Sequence, residues 1–428
     1  MRRRRHLTLS FTGPPAPFPK ATSLIMSTPF SIRLPVEVWL HILSFIPGGM
    51  EIRRLIGLNH IFFEAAMNDI FREVIFVPSD NSGCNLKRLT QIREPSIGHR
   101  IRSLYVRPPT IELGPPRAGV LSSLKNIIYH SHRSIRRKKR NNAILKALYL
   151  AIPNCKNVRE LTLHHEAGFA TKDTPSPVFL QNMWSVVGPN LRKLRIISPW
   201  ERLSLLLEEK ATLPVTNLEE LSITFILLRS FENVPWSPVP ILTSRSFIAF
   251  AQSQRHSLQS LTISSFERLE MSSYFEELGY FPRLKQLRIL VMMDRHTLPQ
   301  PSSLTRFLDM HKDTLETIGI IPKIERMDET YRTWISGEFT TLEFPALQSL
   351  KIGSWGFAFP HVPRLTLVSL NVRHPSYIRS VKRELERASG NRKISKIRHI
   401  TNTDLEVELV PPAEQRVPHN FRSCFYDK

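Results

Sequence analysis

LRKLRIIS, residues 191–198, sets apolar side chains at the first, fourth and sixth places of a short run. In an extended chain alternate side chains leave opposite faces, so Leu194 and Ile196 point one way and Lys193 and Arg195 the other. Leu191 anchors the turn into the strand. The same pattern, apolar-x-x-apolar-x-apolar, recurs nine times, led by Ile101, Val158, Leu191, Leu218, Leu258, Leu284, Leu315, Leu347 and Leu367. Successive leads lie 57, 33, 27, 40, 26, 31, 32 and 20 residues apart, about 33 on average. That is the length of one supersecondary unit, not of a lone hairpin. Between copies lie helix-like stretches such as residues 176–187, 245–257 and 303–312. Strand, helix and strand in fixed register give stacked units and a parallel sheet, an α/β class. An ordinary α/β domain with Leu-rich strands is the competing expectation, and nine copies exceed a usual sheet.

Positions three, five and seven of each copy point away from the helices and line the inner, concave surface of the stack. The bases there are Arg107, Lys193, Arg195, Arg288, Lys351 and Arg373, and the acids are Glu160 and Glu220. This excess of cations suits an acidic or phosphorylated protein segment held by charge-assisted hydrogen bonds. A merely solvated charged face is the plain alternative. Residues 376–428 hold an amphipathic run near YIRSVKRELERA and two alternating runs, KISKIRHI and LEVELV, expected to cap the last unit's open core.

Composition narrows the partners. The 428 residues carry 59 Lys and Arg against 37 Asp and Glu, a net charge of +22, which favours acidic partners. Cys84, Cys155 and Cys424 are widely separated, which excludes a disulfide scaffold and suits a reducing compartment, cytoplasm or nucleus. No stretch approaches the roughly 18 apolar residues of a membrane helix, so no membrane partner is expected. Residues 1–29 join four arginines to five prolines and read as an unstructured leader, although an Arg-rich start also fits a transit or nuclear-localisation signal.

Residues 30–76 read as three short helices ahead of the repeats. Pro35 fits a first helical position and Glu37 the positive end of the helix dipole. Val38, Ile42 and Phe45, with Trp39, Leu43 and Ile46, make two adjoining apolar stripes before Pro47-Gly48-Gly49 ends the helix. Phe62, Ala65, Ala66 and Ile70 face a core on the third helix. The first helix is apolar around more of its circumference than so small a bundle needs, which marks a partner surface.

The block Leu34-Pro35, Glu37-Val38, Ile42-Leu43-Ser44, Ile46-Pro47, then Leu55, Leu58-Asn59 and Phe62 resembles an F-box, and the ending NDIFREVIF resembles its fungal version. Gly48-Gly49-Met50-Glu51 departs from the usual acidic start of the second helix, and Phe62 stands where Trp is commoner. The resemblance implies docking to a Skp-family adaptor, and through it to a cullin scaffold, by Leu34, Pro35, Val38, Ile42, Leu43, Ile46, Pro47, Leu55, Leu58 and Phe62. Residues 77–375 are similar to a degenerate leucine-rich-repeat solenoid. No copy has the ladder Asn at its ninth position, so irregular units are expected.

The densest basic cluster, HSHRSIRRKKR (130–140), reads as an exposed insertion loop or nuclear-localisation signal. With only Tyr129 nearby it lacks the interleaved aromatics of a nucleic-acid site. Discounting it and residues 2–5 still leaves +12, so basicity is distributed. His164 and His165 are adjacent, point oppositely on a strand and read as a satisfied surface pair, with no third ligand at metal spacing. No phosphate-loop, dinucleotide, nucleophile-elbow or zincin motif occurs, and neither cofactor nor enzymatic activity is expected. The expected function is that of a substrate receptor for a ubiquitin ligase. A basic nuclear nucleic-acid scaffold, with steeply salt-dependent binding, is the alternative.

Overall fold

The computed structural model describes residues 35–46, 50–76, 83–107, 110–112, 143, 146–165, 173–175, 177–199, 202–207, 214–226, 245–265, 270–291, 297–321, 334, 337–352, 360–371, 378–390, 394–399 and 404–409. The leader, the 130–140 cluster, Leu34, Pro47 and Arg373 lie outside them. The chain divides into two compact units, Met1–Ile70 and Phe71–Lys428.

The first unit holds α1 (Val36–Phe45), α2 (Met50–Arg54) and most of α3 (His60–Phe71). Pro35 is extended, and its carbonyl accepts from the amides of Val38 and Trp39, which starts α1. Asn59 opens α3, its side-chain oxygen accepting the Phe62 N–H at 3.0 Å. Trp39 meets Phe62 edge to face, with ring centroids 5.6 Å apart. Arg53 pairs with Asp69 at 3.3 Å.

The second unit is α/β. Ten strands run parallel: β1 (Glu73–Phe76), β2 (Ser103–Val106), β4 (Glu160–His164), β6 (Lys193–Ser198), β7 (Glu220–Phe225), β8 (Ser260–Ser265), β9 (Gln286–Leu290), β10 (Thr317–Ile320), β11 (Ser349–Ile352) and β12 (Leu367–Asn371). Two others, β3 (Thr110–Glu112) and β5 (Asp173–Pro175), pair antiparallel as a separate small sheet. At the far edge β14 (Asp404–Leu409) pairs antiparallel with β12, and β13 (Ile394–His399) pairs antiparallel with β14. α11 (Ile378–Ala388) precedes this hairpin and buries Val381, Leu385 and Ala388.

The repeat register explains the packing. One buried row crosses the sheet through Val74, Leu104, Leu161, Leu194, Leu221, Leu261, Leu287, Ile318, Leu350 and Val368, each paired with the next. A second row two residues on includes Phe76, Val106, Ile196, Ile263 and Ile352. Both rows join one core with the helices on that side. The expected helices are there: α6 (Pro177–Val187) buries Phe179, Leu180, Met183, Trp184 and Val187, and α10 (Pro301–Met310) buries Leu304, Phe307 and Leu308. α8 (Arg245–Ser253) contributes Phe247, Ile248, Phe250 and Ala251. Between them lie α4 (Gly83–Ile92), α5 (Pro95–Gly98), α7 (Leu203–Leu206) and α9 (Ser272–Leu278).

Two readings of the pattern need correction. The last copy is led by Leu365, not Leu367, because Val368 pairs with Leu350 and Leu365 is fully buried. In LTLVSLNV both frames look apolar, and the antiparallel partner β14 decides between them. The frame that placed Arg373 at a seventh position is therefore out of register by two residues. The pattern also begins one unit earlier than read. Residues 71–76, FREVIF, end the helical module in the sequence reading, yet Phe71, Val74 and Phe76 are buried and β1 pairs with β2.

Each strand entry repeats one main-chain device. The carbonyl of the residue after each lead accepts two consecutive amides of the next unit. Arg192 thus takes the N–H groups of Glu219 and Glu220, and Glu219 those of Gln259 and Ser260. Gln259 serves Lys285 and Gln286, and Lys285 serves Glu316 and Thr317.

Candidate functional site

Two surfaces carry functional residues. The first is the sheet face opposite the core. Strand alternation puts Glu160, Lys193, Arg195, Glu220, Arg288 and Lys351 there, and all are exposed, as the sequence register predicts. Arg107 follows β2 and is half-buried, its N–H donating to the Phe76 carbonyl at 2.9 Å.

The cations on this face are not equivalent. Lys193 sits at one register between Glu160 and Glu220 on its neighbouring strands, with Nζ 4.0 and 2.8 Å from their carboxylates. The hydrogen bond to Glu220 holds its ammonium above the usual lysine range. Its charge is thus matched twice over by the acids beside it. Arg288 lies across the next strand, where Gly319 leaves room: a Cβ there would stand 3.4 Å from Arg288 Cγ. With the Gln286 amide oxygen turned toward the guanidinium, Arg288 donates to it at 2.7 and 2.9 Å. Arg195 and Lys351 make no ion pair among the described residues. Both lie at the fifth position of their units, on β6 and β11, five strands apart and so roughly 24 Å at the usual strand spacing.

Toward the amino-terminal side the face turns aromatic. The Tyr105 hydroxyl hydrogen-bonds His164 Nδ1, and the two rings meet edge to face. His164 and His165 do point oppositely, but they are no satisfied surface pair. His165 shares the parity of Leu161 and Leu163, is 2% exposed, and neither of its ring nitrogens has a hydrogen-bond partner. Burial, then the nearby guanidiniums of Arg202 and Arg107, push its pKa down to about 4. Its neighbour along the chain, Cys155, is equally enclosed, and burial pushes the thiol up to about 12, which makes it a poor nucleophile.

The second surface belongs to the three-helix unit. α1 has no buried residue. Val36, Leu40, Phe45 and Leu58 are each more than half exposed, and Phe45 reaches 73%. Of the contacts expected from the resemblance, Pro35, Val38 and Leu58 are exposed, while Ile42, Leu43, Ile46 and Leu55 are half-buried. Phe62 is corrected: at 2% exposure under Trp39 it is core and not a contact. Val36, Leu40 and Phe45 were not singled out as contacts from sequence, although each is a large apolar residue on a short helix.

Fold and surfaces together define an α/β chain whose parallel sheet is helix-covered on one face, with a separate three-helix unit before it. Compared with known proteins, the chain matches no protein-family model and no curated protein. No helix among the described residues is long and apolar enough to cross a membrane.

Proposed function

We propose that this chain is the non-catalytic substrate-recognition subunit of a Skp–cullin–F-box type ubiquitin ligase, acting in the cytoplasm or nucleus. The three-helix unit is an F-box that docks the adaptor, and the sheet unit is an irregular leucine-rich-repeat solenoid that holds the protein substrate. The observation that carries the reading is α1, ten residues with none buried and an apolar surface left without partners inside the unit. Such surface is costly in water and is retained where another protein covers it. The open sheet face supports the second half, because the cations of Arg195 and Lys351 suit an acidic or phosphorylated segment laid across the strands. Catalysis then works by proximity, a tethered substrate meeting the conjugating enzyme at high local concentration.

The test is co-purification. Leu40→Asp with Phe45→Asp places charge on two exposed sites, so melting temperature and circular dichroism should stay as in the parent chain. Capture of adaptor and cullin from cell extract should fall to background. Undiminished capture by a folded double variant defeats the assignment.

A further inference from the structure

We propose that Arg107, His165 and Arg202 form an oxyanion site of the phosphate class at the carboxyl ends of β2, β4 and β6. These strands are adjacent and parallel, and each of the three residues follows its own strand. Arg107 is the first residue after β2. His165 is the first after β4, its N–H donating to the Ile197 carbonyl at 2.8 Å. Arg202 lies four residues after β6, its N–H donating to the Pro199 carbonyl at 3.1 Å as the chain enters α7. Carboxyl ends of parallel strands are where open α/β sheets gather ligands.

The observation that points to a ligand is His165 itself. Both ring nitrogens are buried and lack any protein partner. Buried polar atoms are nearly always satisfied, and each orphan costs on the order of 1–3 kcal/mol. The cost is kept in a place where two guanidiniums bear on the same imidazole. A dianion there balances two positive charges and accepts from the imidazole N–H, whereas a monoanion leaves one charge over. Free phosphate and a phosphorylated side chain of a bound protein share this chemistry. The site does not rest on the adaptor reading, and adaptor capture and anion binding fail or succeed separately.

Calorimetric titration of the full chain with sodium phosphate near neutral pH, at constant ionic strength in chloride, tests it. The expected result is saturable binding of one phosphate. His165→Phe and Arg202→Met should each weaken it roughly tenfold or more, while Arg195→Met on the open face leaves it unchanged. Acetate should bind at least about tenfold more weakly than phosphate. Comparing inorganic phosphate with an end-blocked phosphoserine peptide assigns the source: tighter peptide binding means a phosphorylated protein, the reverse means the free ion. Should His165→Phe fail to fold, ring 15N spectra of the histidine-labelled parent chain need no variant. One imidazole should move saturably with phosphate and not with chloride. No saturable heat, no moving imidazole, or unaltered affinity in both folded variants overturns the proposal.

Discussion

His311 and His165 are both buried imidazoles, and the fold treats them oppositely. His311 donates from Nδ1 to the Phe307 carbonyl at 2.7 Å and accepts the Phe281 N–H on Nε2 at 2.9 Å, a tautomer its two partners dictate. It thereby ties the end of α10 to the turn before β9. Burial lowers the pKa of both rings, His165 to about 4. Lowered basicity in the folded state means that the unfolded chain binds more protons below about pH 6.5. The stabilising contribution is therefore complete above that pH and drains away as pH falls toward 4. For His165 the full span is worth about 3 kcal/mol. Urea unfolding in phosphate-free buffer at pH 7.5, 5.5 and 4.5 measures it. The parent chain should lose more stability across that range than a folded His165→Gln variant, and parallel losses would show that His165 is already charged when folded. Neither role was legible in sequence. A histidine on a strand or at a helix end looks the same whether bracketed or orphaned, because its partners come from other units.

At the scale of the element, the strands were the most readable part of the chain, for a physical reason. A period of two with buried residues at the fourth and sixth places survives any variation in the connecting segments, so Leu221 with Ile223 and Leu287 with Ile289 declare themselves. The register failed at Leu365–Leu370, where apolar residues fill both alternatives, and at Phe71–Phe76, where a strand directly follows α3. The missing ladder Asn had a counterpart elsewhere. Asn154, Asn190 and Gln254, before their leads, donate side-chain N–H groups to the carbonyls of Arg93, Lys156 and Val215 in the preceding unit. These partners were invisible because the connecting lengths vary. Leu365 and Leu367 give a test with chemistry held constant. Leu365→Ala should cost roughly 2–5 kcal/mol in chemical denaturation, and Leu367→Ala less than about 1. The reverse order would restore the frame led by Leu367.

For the whole molecule, the net charge of +22 says less than the way charge is spent on the sheet. Lys193 is matched by Glu160 and Glu220, and Arg288 is held by Gln286, so Arg195 and Lys351 are the cations most available to a ligand. Reversing both to glutamate should weaken binding of an acidic segment at least about tenfold and leave the melting temperature within a degree or two, since exposed charges contribute little to folding. Reversing Lys193 alone should do much less to binding. Equal effects from the two reversals, read by fluorescence anisotropy of a labelled acidic peptide, would mean that the face acts only through its total charge.

The shared-carbonyl device at the strand entries bears on how the second unit comes apart. One acceptor grips two amides of the following unit at junction after junction, so no internal boundary is marked as the weak one. The reversed strands β13 and β14 interrupt that sequence and sit at the end of the sheet. A pull on the carboxyl terminus therefore meets the hairpin as a latch, and once it yields the strands peel one at a time like stitches from a hem. Each release frees about 33 residues on average, roughly 11 nm of slack chain, and the length of the slack records which stitch has gone.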